Sequence, residues 1–155
     1  MLALGAPATA LQRPSGKVAL TLRGKVQTTN QGGQAVFDLA MLAELPQKQF
    51  TGMTHWEKTP LKFGGPLLRD VFAAAQVTGT QVHATASDGY RVSFPVADAT
   101  RFDMLIATRV NDRPIPLRSK GPLWLVYPFG SDPKLLEDKI YTDRSIWHLS
   151  LMEIE

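Results

Sequence analysis

Residues 63–76 read FGGPLLRDVFAAAQ, and this stretch decides the fold. Pro66 suits the first turn of a helix, because a proline lacks the backbone N–H that has no partner there. Five apolar residues then share one helical face: Leu67, Leu68, Val71, Phe72 and Ala75. The pattern predicts a helix over residues 66–76 that packs one face into a core.

Strand-forming segments surround this helix on both sides. The Asp-Gly pair in Ser87-Asp88-Gly89 predicts a hairpin of strands 81–86 and 90–95. Further strands are predicted at 18–22, 104–108, 123–127 and 145–154, and a bend at 60–65. Asp38 is a candidate N-cap for a short helix that Pro46 ends. Many strands with few helices, in no regular alternation, predict an α+β fold with mixed sheets.

The predicted core follows from the periodicity of the apolar residues. Its members are Leu67, Leu68, Val71, Phe72, Leu105, Ile106, Leu125, Val126 and Leu149.

Composition excludes several classes of protein. A chain of 155 residues fits one domain. Without any cysteine it cannot be a disulfide scaffold, a zinc–thiolate protein, an iron–sulfur protein or an enzyme with a cysteine nucleophile. The net charge of +3 is too small to indicate nucleic acid. No apolar run reaches the roughly 18 residues of a membrane span, so we expect no membrane insertion.

The N-terminus indicates export. Ala8-Thr9-Ala10 has the small-x-small pattern that a signal peptidase accepts. We interpret residues 1–16 as a residual signal peptide or a flexible N-terminus and residues 17–155 as the single domain, with a mature start near Leu11. We therefore expect a periplasmic or otherwise exported bacterial protein.

The order of these segments resembles the molybdopterin-binding oxidoreductase domain, the catalytic domain of the sulfite oxidase family. The likeness begins near Phe37 and looks most like the short, stand-alone exported members. It is carried by Asp38-Leu39, Leu45-Pro46, Trp56, residues 63–70, Tyr90 with residues 94–96, residues 105–112 with Pro114, residues 121–128 and residues 144–147. The resemblance implies the α+β fold of that domain, an oxidoreductase ancestry and molybdopterin as the family cofactor.

Three positions depart from the family pattern. The resemblance places a molybdenum-ligating cysteine four residues before Trp56, where this chain has Gly52. It places an arginine at Trp124 and a lysine at Ile146. Met53 offers only a thioether, a poor substitute for an anionic thiolate on a hard, high-valent metal. We therefore expect no cofactor, and molybdopterin is implied by the resemblance alone.

The candidate ligand or pocket residues are Gly52, Thr54, His55, Trp56, Arg109, Arg113, Arg118, Lys120, Trp124 and Arg144. His55 and Trp56 are either a pocket pair or a surface histidine beside a packed ring. The basic residues from 109 to 120 are either a solvated loop or an anion site, since arginine matches phosphate, sulfate and carboxylate. The aromatic rings are either core or the wall of an apolar cleft. His83 and His148 form no metal motif with His55.

Two functions remain open at this point. The first is a non-catalytic, exported binding module whose cleft, partly apolar with a basic rim, takes a small anionic ligand or a partner protein. The alternative is a molybdopterin-dependent oxidoreductase with a non-cysteine metal site, in which Thr54 or His55 supplies a donor and Arg109 or Arg144 holds the cofactor phosphate. Whether the chain is an enzyme stays open, because the family is one of oxidoreductases and the thiolate is missing.

Overall fold

The fold contains three β-sheets, with five, four and two strands. The structure is a computed structural model that describes residues 11–155. The strands are β1 (Val18–Gly24), β2 (Ala35–Asp38), β3 (Gln47–Gly52), β4 (Leu61–Pro66), β5 (Gln81–Ala86), β6 (Arg91–Pro95), β7 (Leu105–Ala107), β8 (Arg109–Val110), β9 (Arg113–Pro114), β10 (Trp124–Val126) and β11 (Leu149–Ile154). The helices are α1 (Leu39–Glu44), α2 (Leu68–Ala75), α3 (Asp98–Arg101) and α4 (Lys139–Arg144), with a 3₁₀ helix at Pro133–Glu137.

The largest sheet joins the two ends of the described chain. Its order is β2-β1-β11-β5-β6, and β1 runs parallel to β11 while the other pairs are antiparallel. The four-stranded sheet has the order β3-β4-β8-β9, and β7 pairs with β10 beside it. These mixed sheets with short helices confirm the predicted α+β class.

All nine predicted core residues are buried. Most of them belong to one large cluster that the five-stranded sheet and α2 share. Leu67, Leu105 and Val126 belong instead to a second cluster with Phe63 and Trp124. This second cluster lies beneath the candidate site, because Trp56 and Trp147 pack against it.

The helix α2 is shorter than the sequence predicts. Pro66 is the last residue of β4, where it pairs with Gln47, and the helix begins at Leu68. Proline fits this position because Pro66 lies beyond the residues of β4 that pair with β8, where a missing N–H is tolerated. At the other end, Gln76 adopts a left-handed conformation (φ 51°) and its N–H donates to the carbonyl of Ala73, which closes the helix.

The predicted bend at 60–65 is wrong, because β4 runs through it. Leu61, Phe63 and Gly65 all point into the protein with the period of two of a strand. Gly65 is needed here because another strand approaches its backbone closely. A Cβ at this position would overlap the carbonyl of Ile106, so the glycine lets β4 lie against β7.

The C-terminal strand is also shorter than predicted. It was expected over residues 145–154, whereas β11 begins at Leu149. His148 has a φ of 55°, which interrupts the extended backbone. Trp147 instead forms an isolated bridge with Trp124, so this segment joins the two-stranded ladder rather than the large sheet.

Asp38 ties the N-terminal segment to α1. Its Oδ1 accepts the N–H of Met41 at 2.8 Å, which confirms the predicted N-cap. Its Oδ2 accepts the N–H groups of Ser15 and Gly16, both at 2.9 Å. Leu11 packs against the main core. The expected signal peptide lies largely in residues 1–10, outside the described residues, and it stays a prediction together with the boundary at residue 16.

No helix of residues 11–155 has the length and apolar character needed to cross a bilayer.

We expect Asp38→Ala to lower the free energy of unfolding by about 2 kcal/mol, because the backbone donors of Met41, Ser15 and Gly16 lose their acceptor. The hydrogen bonds from these donors also hold the pKa of Asp38 below its usual value of 3.8. The stabilisation is therefore complete above the unfolded-state pKa and disappears as the pH falls through the folded-state value. Urea unfolding at neutral and acidic pH measures both effects.

Glu44→Gln is the matched control, since it removes an exposed carboxylate from the same helix. An Asp38→Ala protein that keeps wild-type stability and the wild-type acid dependence would contradict the assignment.

Candidate functional site

Gly52 ends β3 at the position where the resemblance implies a metal-ligating cysteine. A Cβ on Gly52 would overlap the backbone of Gly130, and a Cβ on Gly130 would overlap the carbonyl of Thr51. The two glycines thus bring β3 into direct backbone contact with the turn that follows β10. A cysteine side chain does not fit at position 52 while this contact is closed.

Thr54 and His55 follow Gly52, and each forms one hydrogen bond within the chain. Thr54 is buried, and its Oγ1 accepts the N–H of Trp56 at 3.3 Å. His55 is exposed, and its Nε2 donates to the carbonyl of Leu136 at 2.8 Å. This contact holds the proton on Nε2 and leaves Nδ1 as the free ring nitrogen.

Three indole rings pack edge to face and form what we call the tryptophan cluster: Trp56, Trp124 and Trp147. The ring centroids lie 5.1 Å apart for Trp56 and Trp124, 5.8 Å for Trp56 and Trp147, and 6.0 Å for Trp124 and Trp147. Such geometry places the positive edge of one ring against the negative face of the next. The buried indole of Trp124 donates from Nε1 to the carbonyl of Ser145 at 3.2 Å. The rings therefore pack in the interior and also line cavities at the surface.

Lys120 lies over this cluster. Its Nζ is 5.5 Å from the ring centroid of Trp124 and 5.3 Å from that of Trp147. Both distances are those of a cation–π contact. The sequence predicted Lys120 and Trp124 as site residues, and the structure brings them together.

The strands β8 and β9 form a hairpin that carries Arg109 and Arg113. Its turn residues Asn111 and Asp112 have positive φ angles of 54° and 67°, as a tight two-residue hairpin turn requires. Lys62 on β4 fixes the turn, because its N–H donates to Asn111 Oδ1 at 3.0 Å and its Nζ lies 2.9 Å from Asp112 Oδ1. The two arginines are thus held on a rigid element.

This hairpin borders two open clefts. The first, the Arg109 cleft, has a volume of about 600 Å³ and is lined by the cations Lys48, Lys62 and Arg109 together with residues of α1. The second, the Lys120 cleft, has a volume of about 650 Å³. It is lined by Arg113, Lys120, Trp124, Ile115, Leu61 and Glu57, among others. The basic residues predicted for one rim are therefore divided between two clefts.

Arg118 and Arg144 line neither cleft. Arg118 is exposed on the loop before Lys120. Arg144 lies 3.3 Å from the buried carboxylate of Asp98, which also accepts the hydroxyl of Tyr127 at 2.6 Å. Burial raises the pKa of Tyr127 above its usual range, and the hydrogen bond to Asp98 raises it further. Arg144 therefore neutralises a buried carboxylate.

A third cavity lies on the other side of the tryptophan cluster. We call it the Tyr90 cavity; its volume is about 290 Å³. Its lining residues are Trp56, Asp88, Tyr90, Thr142, Asp143, Ser145, Ile146 and Trp147. The wall thus includes Trp56, a predicted pocket residue, and Ile146, one of the three departures from the family pattern.

Sequence reasoning missed most of this cavity. The Asp88-Gly89 pair marked a hairpin turn, which is correct, but nothing local indicates that the turn lies beside the end of α4. Thr142 and Asp143 carry no motif, and they reach the cavity through tertiary packing alone. The cavity is a product of segments more than 50 residues apart in the chain, as the hydrogen bond from the Tyr90 hydroxyl to the carbonyl of Asp143 illustrates.

Residues 42–131, more than half of the chain, match the family model of the oxidoreductase molybdopterin binding domain. The mixed-sheet fold agrees with this match. The matched span includes Gly52, the β8–β9 hairpin and Gly130, whereas Arg144 and Trp147 lie beyond it. No curated protein matches the chain.

We expect Gly52→Cys to lower the free energy of unfolding by about 2 kcal/mol, because its Cβ must displace the backbone of Gly130. Met53→Cys is the matched control, since Met53 is exposed and a cysteine there meets no backbone. Urea unfolding under reducing conditions compares the two variants with the wild type. Equal stability of all three proteins would contradict the close contact.

Proposed function

The chain belongs to the oxidoreductase molybdopterin-binding domain family, and we propose that it is an exported member whose fold serves binding instead of thiolate-held molybdenum catalysis. The binding surface is the basic hairpin β8–β9 with the clefts on its two sides. Its ligand is a small anion or an acidic face of a partner protein.

The position of the metal ligand carries this proposal. The family name implies a molybdopterin cofactor, and the resemblance places an anionic thiolate on its hard, high-valent metal at position 52. This chain has no cysteine, and the backbone of Gly130 occupies the space that a side chain at position 52 would need. The residues present therefore do not fit a thiolate-held molybdenum, and no step of the proposed function runs through the cofactor.

The side chains at the two expected cation positions support the same conclusion. Trp124 and Ile146 are each only 2% exposed, so they fill space in the interior. A cofactor phosphate is held best by charged donors that form short hydrogen bonds. An indole and an aliphatic side chain supply no such charge, and their burial leaves less room for a large ligand.

The alternative is a molybdopterin-dependent oxidoreductase with a non-cysteine metal site. Thr54 would have to leave the N–H of Trp56 to act as a donor, whereas His55 keeps Nδ1 free while its Nε2 donates to the carbonyl of Leu136. Within residues 11–155, the His, Asp and Glu side chains form no group of three that could hold a metal ion. No observation on these residues favours this alternative over the binding module.

Protein purified from its native host tests the absence of molybdenum catalysis and the export together. We expect no stoichiometric molybdenum by elemental analysis, no pterin in the denatured supernatant and an N-terminal sequence that starts near Leu11. One molybdenum per chain would overturn the binding-module proposal in favour of the alternative. An intact N-terminus at Met1 in protein from the cytosol would overturn the export.

Unpaired positive charge supports the choice of an anionic ligand. Arg109 and Arg113 are exposed and form no salt bridge with residues 11–155. The hairpin fixes the backbone positions of the two arginines, and their guanidinium groups match the geometry of phosphate, sulfate and carboxylate. Lys120 adds a third charge that the tryptophan cluster keeps in place.

Calorimetric titration with sulfate, with a small dicarboxylate and with an acidic polypeptide tests the basic surface. We expect Arg109→Gln and Arg113→Gln each to weaken binding by about three- to tenfold, because each removes a charged donor, and we expect added salt to weaken it further. Arg101→Gln is the matched control, since Arg101 is an exposed arginine on α3, away from the hairpin. Equal affinities for all four proteins would remove the hairpin from consideration.

Comparing the affinities for the small anions and for the polypeptide shows how large the ligand is. Preference for the polypeptide favours a partner protein that spans both clefts, whereas preference for the small anions favours a ligand in one of them. Absence of binding for every probe would contradict the proposal.

A further inference from the structure

We propose that the Tyr90 cavity is a binding site for a small alkylammonium cation. This site differs from the basic hairpin in place and in charge, and it does not depend on the anion binding proposed above. It rests on three observations: the aromatic wall, the sign of the charged side chains, and the contact that joins two elements across the cavity.

The aromatic wall is formed by Trp56, Tyr90 and Trp147. The face of an aromatic ring attracts a cation, and alkylammonium groups are recognised in this way in cages of several rings. Lys120 already places its ammonium group 5.3 Å from the ring centroid of Trp147. Lys120 lines its own cleft and is not part of the Tyr90 cavity. Trp147 thus already takes part in one cation–π contact, with a lysine outside the cavity.

Among residues 11–155, the charged side chains that line the cavity are both carboxylates, Asp88 and Asp143, and no lysine, arginine or histidine lines it. Asp143 is partly neutralised, because Lys139 lies 2.8 and 2.7 Å from its two carboxylate oxygens. Asp88 forms no salt bridge with residues 11–155. Its Oδ1 accepts the N–H of Tyr90 at 3.1 Å, which leaves Oδ2 for a ligand. Such a wall attracts a cation and repels phosphate or carboxylate.

The cavity is fixed on opposite sides by different elements. The hydroxyl of Tyr90 donates to the carbonyl of Asp143 at 3.1 Å and so joins the β5–β6 turn to the end of α4. Thr142 also belongs to the wall, and its buried Oγ1 has no hydrogen-bond partner among residues 11–155.

The volume sets the size of the ligand. About 290 Å³ lies at the lower limit of small-molecule sites. A compact ion with a few carbon atoms and one hydroxyl, such as choline, fits this space.

The test uses choline and tetramethylammonium as probes, with 3,3-dimethylbutan-1-ol as the uncharged isostere of choline. Calorimetry and the fluorescence of the indoles in the wall follow the binding. We expect saturable binding of both cations and at least about tenfold weaker binding of the alcohol, because the cation–π and carboxylate contacts need the charge. Equal binding of choline and the alcohol would reduce the site to an apolar cavity and overturn the proposal, as would the absence of saturable binding for both cations.

Two exposed positions provide variants that keep the fold. Asp88→Asn keeps the oxygen that accepts the N–H of Tyr90 but removes the charge, and Tyr90→Leu removes a ring that is 51% exposed. We expect each to weaken choline binding by about three- to tenfold.

Asp103→Asn is the matched control, because Asp103 is an exposed carboxylate that pairs with Arg69 away from the cavity. Wild-type affinity is expected for this control, with the folded state of every variant checked by circular dichroism. Wild-type affinity in Asp88→Asn and Tyr90→Leu, or an equal loss in Asp103→Asn, would place the binding elsewhere.

Discussion

The site depends on the backbone contact between Gly52 and Gly130. It joins the end of β3 to the turn after β10, and the same two segments meet again where the ring of Trp56 lies 6.1 Å from that of Phe129. Because neither glycine has a side chain, the two backbones approach more closely than any other residue would allow. Trp56 is then held at a fixed place against Trp124 and Trp147, so the tryptophan cluster follows from a contact between two residues without side chains.

The tryptophan cluster separates two surfaces of opposite charge. Trp124 belongs to the wall of the Lys120 cleft, and Trp147 belongs to the wall of the Tyr90 cavity. Their rings are 6.0 Å apart, and Lys120 lies over both. The packed indoles line both spaces, and the cation Lys120 and the carboxylates Asp88 and Asp143 line different ones. A rigid aromatic wall of this kind suits two separate recognition surfaces better than one continuous active site.

Features that depend on residues close together in the chain could be predicted from the sequence, whereas features that depend on distant residues could not. The Asp38 cap, the hairpin around Asp88-Gly89 and the buried face of α2 are set by neighbours in the chain, and each was predicted. The predicted bend at 60–65 is wrong, because what Gly65 accommodates is the carbonyl of Ile106 on another strand, a contact that the local sequence does not indicate. The ion pair of Arg144 is equally hidden from the sequence, since its partner Asp98 lies 46 residues away.

The three departures from the family pattern agree with one another under the proposed function. A bound cofactor stabilises the fold that holds it, so a fold that serves binding without the cofactor needs other contacts at these positions. Trp124 and Ile146 are buried, and the backbones of Gly52 and Gly130 are in contact, so protein atoms fill this part of the fold. Restoring the cysteine alone would therefore open a packed contact without providing the charged donors that a phosphate needs. The proposed absence of thiolate-held molybdenum thus agrees with the uncharged residues at the two cation positions and with the closed backbone contact at position 52.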